Sequence, residues 1–388
     1  MIYKPHFLYR LKLIFVFMLV KLKFIQPLLP KNFREELPTG WNNHMFWVAF
    51  KSGGQKLFFD YYCKMREPAS YESKTVVDAK YQLTEEDIRA FHESGYLGPF
   101  DLGYSEEEMQ RIKEHLVDLA INQESKIFSY ARGDYELETQ KPENGNVGER
   151  ESLSKVEQFF VNRINVFERH LEDSILLNLF KNPAITERCA QILGPDLLIW
   201  HSHFFWTPPL SSGSQWHQTS TWLSMDMKES LLQPPNVEDI FQVTCWIALT
   251  DAPKEKSCLK MVCGSREEIY PVKHISQSSK DSTIYGKYDS ELDYPIDPKK
   301  VKLLEAKAGQ CIIFCERTVH GSTDNVTDDT RWAVVGRIVR PDTRVYTQKM
   351  LEDGYDIKIY GAKKVKLDKW QVLLLRGEDR FGYNRVLK

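Results

Sequence analysis

Two histidines in strand-like surroundings, and the arginines that follow them, are the residues of this chain best suited to chemistry. His217 lies in Gln215-Trp-His-Gln-Thr219, and His320 follows 103 residues later in Glu316-Arg-Thr-Val-His-Gly321. Arg331 comes 11 residues after His320, and Arg337 another 6 after that. Two imidazoles can hold a first-row transition metal on one face and leave other positions open for an oxidant and a co-substrate. An arginine is always charged and fork-shaped, and grips a carboxylate through paired hydrogen bonds. Two strand-borne histidines with a downstream arginine therefore suit non-haem Fe(II) chemistry with O2 and 2-oxoglutarate.

The usual facial triad for that metal adds a carboxylate two residues after the first histidine, because residues i and i+2 of a strand share a side. Here the position is Thr219. A neutral hydroxyl is a poor iron ligand, so either no iron binds or an anion such as chloride completes the charge. Asp226 is the next carboxylate after His217, but nine residues is not the triad spacing.

With these residues in view, positions 81–345 resemble the phytanoyl-CoA hydroxylase superfamily, and within it the 2-oxoglutarate-dependent chlorinating enzymes of the syringomycin-biosynthesis type. The resemblance rests on ordered motifs. They are Leu83-Thr84, Gly95-Tyr-Leu-Gly-Pro-Phe-Asp101, Ser105-Glu-Glu-Glu-Met109, Leu193-Gly-Pro195, Trp200, Phe204-Phe205, Trp216-His-Gln-Thr219, Trp246-Ile-Ala-Leu-Thr-Asp251 and Ser257-Cys-Leu259. It implies a mainly β fold with flanking helices, the double-stranded β-helix (a cupin-like jelly roll). It implies His217 and His320 as iron ligands, and Arg331 and Thr244 as holders of 2-oxoglutarate. Arg337 matches an arginine near the halide. The halogenases carry Ala or Gly at the position of Thr219, and the hydroxylases Asp or Glu. The threonine hydroxyl can hydrogen-bond chloride, and its bulk can equally exclude it. The implied reaction is chlorination of an unactivated aliphatic carbon through a ferryl intermediate, of the kind used in natural-product biosynthesis. Hydroxylation and a metal-free binding protein are the alternatives.

The elements that must position these residues fall into two groups. Thr84 with Asp87 and Ser105 with Glu108 mark helix starts. Met109, Ile112, Leu116 and Leu119 then recur at helical spacing. Further helical patterns cover 168–180 and 184–193, the second stopped at Gly194-Pro195. Short β-rich runs follow at 197–200, 204–206, 241–249, 259–262, 311–314 and 332–335. Helices first and many short strands after them argue for a jelly roll with helices packed outside. His201 and His203 alternate on one run and read as ordinary strand or pocket residues. Cys311 and Cys315 read as core cysteines. Polar stretches at 132–157 and 274–298 read as surface loops, the second long enough for a lid.

Composition narrows the classes. The chain has 388 residues, 42% hydrophobic and 27% charged, with a formal charge of −2. That is ordinary globular composition, not disorder or a coiled coil, and it gives no electrostatic footprint for nucleic acid. Seven cysteines without a Cys-x-x-Cys pair suggest neither a zinc ribbon nor a disulfide framework, and point to a reducing, cytoplasmic setting.

Residues 1–80 lie outside the resemblance and form an N-terminal extension, with 81–388 as the oxygenase domain. Eight apolar residues, 13–20, sit between Arg10 and Lys12 on one side and Lys21 and Lys23 on the other. They are too few to span a bilayer. Two readings stand: a membrane-surface anchor, or else a buried N-terminal helix or an unstructured start-site artefact. The expected substrate is a small molecule or a carrier-tethered acyl or aminoacyl group.

Overall fold

The computed structural model describes residues 7–127, 166–222, 229–274, 290–354 and 366–387. Its helices are α1 (Phe7–Lys21), α2 (Lys31–Glu35), α3 (Asn43–Ser52), α4 (Glu85–Ser94), α5 (Glu106–Ile121), α6 (Ser174–Phe180), α7 (Pro183–Leu193) and α8 (Gln348–Asp353). A three-stranded sheet on one side joins β1 (Lys56–Leu57), β7 (Val272–His274) and β8 (Ser290–Leu292). A short ribbon pairs β4 (Leu232–Gln233) with β13 (Arg344–Val345).

Two sheets make the jelly roll. The major one contains β2 (Tyr96–Asp101), β3 (Leu197–Thr207), β5 (Gln242–Ala248), β10 (Gln310–Phe314), β12 (Arg331–Val339), β14 (Val372–Arg376) and β15 (Val386–Leu387). Its spatial order is β15-β14-β3-β12-β5-β10-β2. The minor sheet has β6 (Leu259–Val262), β9 (Val301–Leu304) and β11 (His320–Ser322), in the order β11-β6-β9. Sequence neighbours are rarely spatial neighbours here, as expected of a sheet wound back on itself.

The alternation of side chains decides what each face does. On the outer face of the major sheet, Ile199, Val243, Cys245, Ile247, Cys311, Ile313, Val334 and Ile338 pack against α4 to α7 through Phe91, Leu116, Leu176, Phe180 and Ile185. Cys315 joins that core too. On the inner face, Trp246, Ala248, Ile312, Phe314, Ala333 and Val335 meet Leu259, Met261 and Leu304 of the minor sheet. Leu116 and Leu176 are fully buried, and truncating either to Ala would cost about 2–5 kcal/mol.

Both expected capping boxes form: Thr84 and Asp87 open α4, and Ser105 and Glu108 open α5. The segment 168–180 is not one helix. Glu168 has a left-handed backbone (φ 55°), a 3-10 turn covers Arg169–Leu171, and the Asp173 side chain caps a fresh start at Ser174. The runs 197–200 and 204–206 merge into the single strand β3, with Ser202 and His203 buried in its middle. Residues 132–157, Asp226 and most of the 274–298 loop lie outside the described residues.

In the N-terminal extension, Leu13, Leu19 and Val20 of α1 pack with Leu37, Trp41, Met45, Phe46 and Phe58, and Ile269 of the main body joins the same core. It is also stitched to the jelly roll. β1 pairs with β7, and the Met65 and Arg66 amides donate to the Glu267 and Glu238 carbonyls. Asp60 makes the most demanding of these contacts. Its buried carboxylate accepts hydrogen bonds from the amides of Tyr61, Ser220, Thr221 and Trp222 and from the Thr221 hydroxyl.

Candidate active site

The two histidines meet through their backbones. His217 and His320 form an isolated antiparallel bridge, each amide donating to the other's carbonyl at 2.9 and 3.0 Å. Their ring centroids are 4.0 Å apart. The chains approach so closely here that side chains are not tolerated beside them. A Cβ on Gly321 would come within 2.7 Å of the Ser214 carbonyl oxygen, and one on Gly213 within 2.1 Å of the Thr323 carbonyl oxygen.

Each imidazole is oriented by its own strand. His217 Nδ1 lies 2.8 Å from the Gln215 carbonyl, and His320 Nδ1 lies 2.7 Å from the Thr318 carbonyl. A carbonyl can only accept, so Nδ1 carries the proton in both rings and Nε2 keeps its lone pair. This is how protein metal sites fix an imidazole's tautomer and aim. Burial, reinforced at His217 by the neighbouring His320, pushes His217 down to about 3, and burial pushes His320 down to about 4. Both rings are therefore neutral near pH 7, the form that binds a metal. Gln218, between His217 and Thr219, points the other way: its amide donates to the Glu268 carbonyl and accepts from the Tyr270 amide.

Thr219 stands two residues from His217, and its amide donates to the Glu316 carbonyl at 2.9 Å. The Glu316 carboxylate is buried close by, with both oxygens engaged. Oε1 accepts from Arg337 Nε at 2.8 Å and Oε2 from Gln242 Nε2 at 2.8 Å. Gln242 is fixed in turn by Trp200 Nε1 at 2.7 Å. Among the described residues, no three side chains of the His, Cys, Asp and Glu types gather closely enough to hold a metal by themselves.

Arg331, Arg337 and Thr244 share the inner face of the major sheet. Arg337 stands opposite His201 on β3 and Thr244 on β5, and Arg331 stands opposite Thr207. Six residues of strand, roughly 20 Å, separate the two arginines. They share a face but not one contact set. Arg337 stacks over Trp222 at 4.2 Å and faces both histidines electrostatically. Arg331 donates to the Ser257 carbonyl and hydroxyl and to the Phe205 carbonyl. It is 5% exposed, and burial lowers it to about 10. Among the described residues it has no carboxylate partner. A buried guanidinium without a counter-ion is costly, and a bound carboxylate would offset that cost. Thr244 Oγ1 and Arg337 Nη1 are buried on the same face without a hydrogen-bond partner among the described residues. The residues thus fit an iron ion with an anionic co-substrate.

Other residues around the site were not singled out from the sequence. Hydroxyls run from Thr207 to Ser257, Ser322 and Ser214, in steps of 3.0 to 3.2 Å, and connect the Arg331 end to the strand of His320. Ser322 is two residues past His320, a spacing that would have revealed it. Glu168 left no such trace. It is fully buried and hydrogen-bonded to His201, and burial raises it to about 8. His201 and His203 do line the inner face, as their alternation suggests, with Phe167 packed on both rings.

A family model described as phytanoyl-CoA dioxygenase (PhyH) matches residues 91–333. The ectoine dioxygenase of Bordetella parapertussis (strain 12822) is 26% identical over 172 residues, which are 42% of this chain and 53% of that protein. The chain thus spans about half the length of the ectoine dioxygenases that it matches. Phytanoyl-CoA dioxygenase 1 of Oryza sativa subsp. japonica is 23% identical over 65% of this chain and 87% of its own. The structure of CytC3 with Fe(II) and alpha-ketoglutarate superposes with a TM-score of 0.55 at 21% identity, covering 79% of this chain and 93% of that one. That likeness is one of fold. With the jelly roll, the histidine pair and the family match over 91–333 in agreement, the chain belongs to the phytanoyl-CoA dioxygenase (PhyH) family.

Proposed function

We propose that this chain is an Fe(II)/2-oxoglutarate-dependent oxygenase that chlorinates an unactivated aliphatic carbon of a small or carrier-tethered acyl or aminoacyl substrate. One observation carries the reading. Two imidazoles, each held through Nδ1 by a backbone carbonyl, stand beside Thr219 where a hydroxylase would place a carboxylate, and the nearby Glu316 is fully engaged by Arg337 and Gln242. Iron bound to the two Nε2 atoms would supply oxidising power from O2 and 2-oxoglutarate. Arg331 would take the distal carboxylate of 2-oxoglutarate, with Thr244 offering a further hydrogen bond. With no carboxylate among the described residues gathered beside the two imidazoles, a compact anion such as chloride would balance the metal's charge. The Thr219 hydroxyl, two residues from His217, would donate to it, and Arg337 adds positive potential. In this role His217, His320 and Thr219 set the reaction, and the arginines set which anions enter.

Hydroxylation is the second reading, favoured by relatives that are named as dioxygenases. A protein that keeps the fold without the metal is the third. Anaerobic titration with Fe(II) and 2-oxoglutarate, with and without chloride, separates them. On the first reading a charge-transfer band grows to one iron per chain and shifts when chloride is added. A band indifferent to chloride, with products that gain one oxygen, would establish the hydroxylase. Absence of iron binding would leave the binding protein.

A further inference from the structure

Helix α1 is apolar on both sides, although only one side is covered. Leu13, Leu19 and Val20 are buried, and Phe17 sets its ring edge-on to Phe46 of α3 at 5.2 Å. The opposite side carries Phe7, Leu11, Ile14, Phe15, Met18 and Leu22, each between 39% and 72% exposed. Those positions follow the i, i+4, i+7, i+8, i+11, i+15 spacing of one continuous helical stripe. A surface helix of a water-soluble protein would place polar residues there. The apolar surface continues past the helix with Phe24 and Leu28, 74% and 82% exposed. An exposed apolar patch of this kind marks a contact surface.

Charge indicates what the surface meets. Between residues 7 and 34 there are six basic side chains and no acidic one, in a chain whose formal charge is −2. Lys12, Lys21 and Lys23 are exposed beside the stripe. Two copies packed stripe to stripe would bring these cations together and repel. An anionic lipid surface attracts them and takes up the apolar stripe as well. Fifteen residues of helix reach about 22 Å, short of the hydrocarbon core. Among the described residues no helix is long and apolar enough to cross a membrane.

We infer that α1 lies in the plane of an anionic lipid surface, its outward stripe inserted among the acyl chains and its lysines at the headgroups. The seat is joined firmly to the catalytic region. Arg10 caps the end of α3 through the Phe50 and Lys51 carbonyls, and the Asn42 side chain at the start of α3 holds the Tyr62 carbonyl. Asp60, two residues before Tyr62, binds the amides that follow Thr219.

The test uses the full chain with vesicles of phosphatidylcholine alone and of equimolar phosphatidylcholine and phosphatidylserine. Cosedimentation with the anionic vesicles, weaker in high salt and weaker on phosphatidylcholine alone, is the expected result. The double variant Leu11→Glu/Phe15→Glu changes two outward side chains and should bind at least about tenfold more weakly, with its melting temperature unchanged. Lys12→Glu/Lys23→Glu should lose the preference for anionic vesicles. The inference is overturned if the unaltered chain binds neither vesicle, or if the Leu11→Glu/Phe15→Glu variant binds as well as the unaltered chain. It is equally overturned if sedimentation velocity finds a dimer that the same variant dissociates while vesicles go unbound, since a second copy would then cover the stripe.

Discussion

Arg337 Nε lies 2.8 Å from Glu316 Oε1, in an ion pair that both side chains leave water to form. The two residues come from separate elements, β12 and the turn before His320, so the pair fixes how the histidine-bearing strand sits on the major sheet. Removing one partner strands a buried charge, which costs about 3–5 kcal/mol, whereas replacing both by apolar groups is often neutral. Glu316→Leu should therefore lower the unfolding free energy by about that amount in urea titrations, and Glu316→Leu/Arg337→Met should recover most of it.

The histidines should act together. With two side-chain donors, losing one halves the set, so His217→Ala and His320→Ala should each abolish stoichiometric metal uptake. Anaerobic calorimetry with Fe(II), or absorption with Co(II), measures this. Unchanged affinity in His320→Ala would exclude that residue as a ligand.

Arg331 meets its expected partner as a planar fork. Arg331→Lys keeps the charge but loses the paired hydrogen bonds. A lost charge-assisted bond is worth about 1.5–3 kcal/mol, so the 2-oxoglutarate requirement should rise at least about tenfold. An unchanged requirement would move that role elsewhere on the inner face.

At Thr219, the variant Thr219→Asp would place a carboxylate at the i+2 position beside His217. Chlorinated product should disappear, with oxygen insertion in its place, while Thr219→Ala should keep chlorination. Product mass in saturating chloride distinguishes one chlorine replacing hydrogen from one added oxygen.

Buried titratable groups give the fold its pH dependence. Burial lowers His92 and His170 to about 4 from 6.5, so the unfolded chain binds these protons first as pH falls. Their contribution to stability is complete above 6.5 and is lost toward pH 4, at about 1.4 kcal/mol per pH unit for each. Glu168 works in the opposite sense. Raised to about 8 from 4.5, it contributes fully below pH 4.5, and that contribution is lost progressively as pH rises from 4.5 through 8. Urea midpoints should thus be highest near pH 6.5, falling below it because the two histidines outweigh Glu168 and falling above it toward pH 8 as the Glu168 contribution is lost. His170→Asn should flatten the acid limb.

Much of the fold could be read from local pattern. The helix starts at Thr84 and Ser105 and the strands with their inward and outward faces depend on spacings of a few residues, where backbone preference and side-chain period act directly, whereas the grouping of His217, Thr219, His320 and Arg331 rests on ordered motifs that resemble a known family, since 103 residues separate the two histidines. The mistaken helix over 168–180 also has a local cause. Its apolar spacing is helical, but Asp173 stops one turn and caps the next, and the buried contact of Glu168 with His201 holds that residue in a left-handed turn. What surrounds the histidines lies beyond such patterns. Glu316 meets Arg337 across 21 residues, and Asp60 reaches Ser220 across 160. Which residues become neighbours there depends on a strand order, β3-β12-β5-β10, that does not follow the chain. The sequence alone marked α1 as apolar and flanked by cations. Only packing against α3 decided which of its faces the protein covers and which it leaves outward.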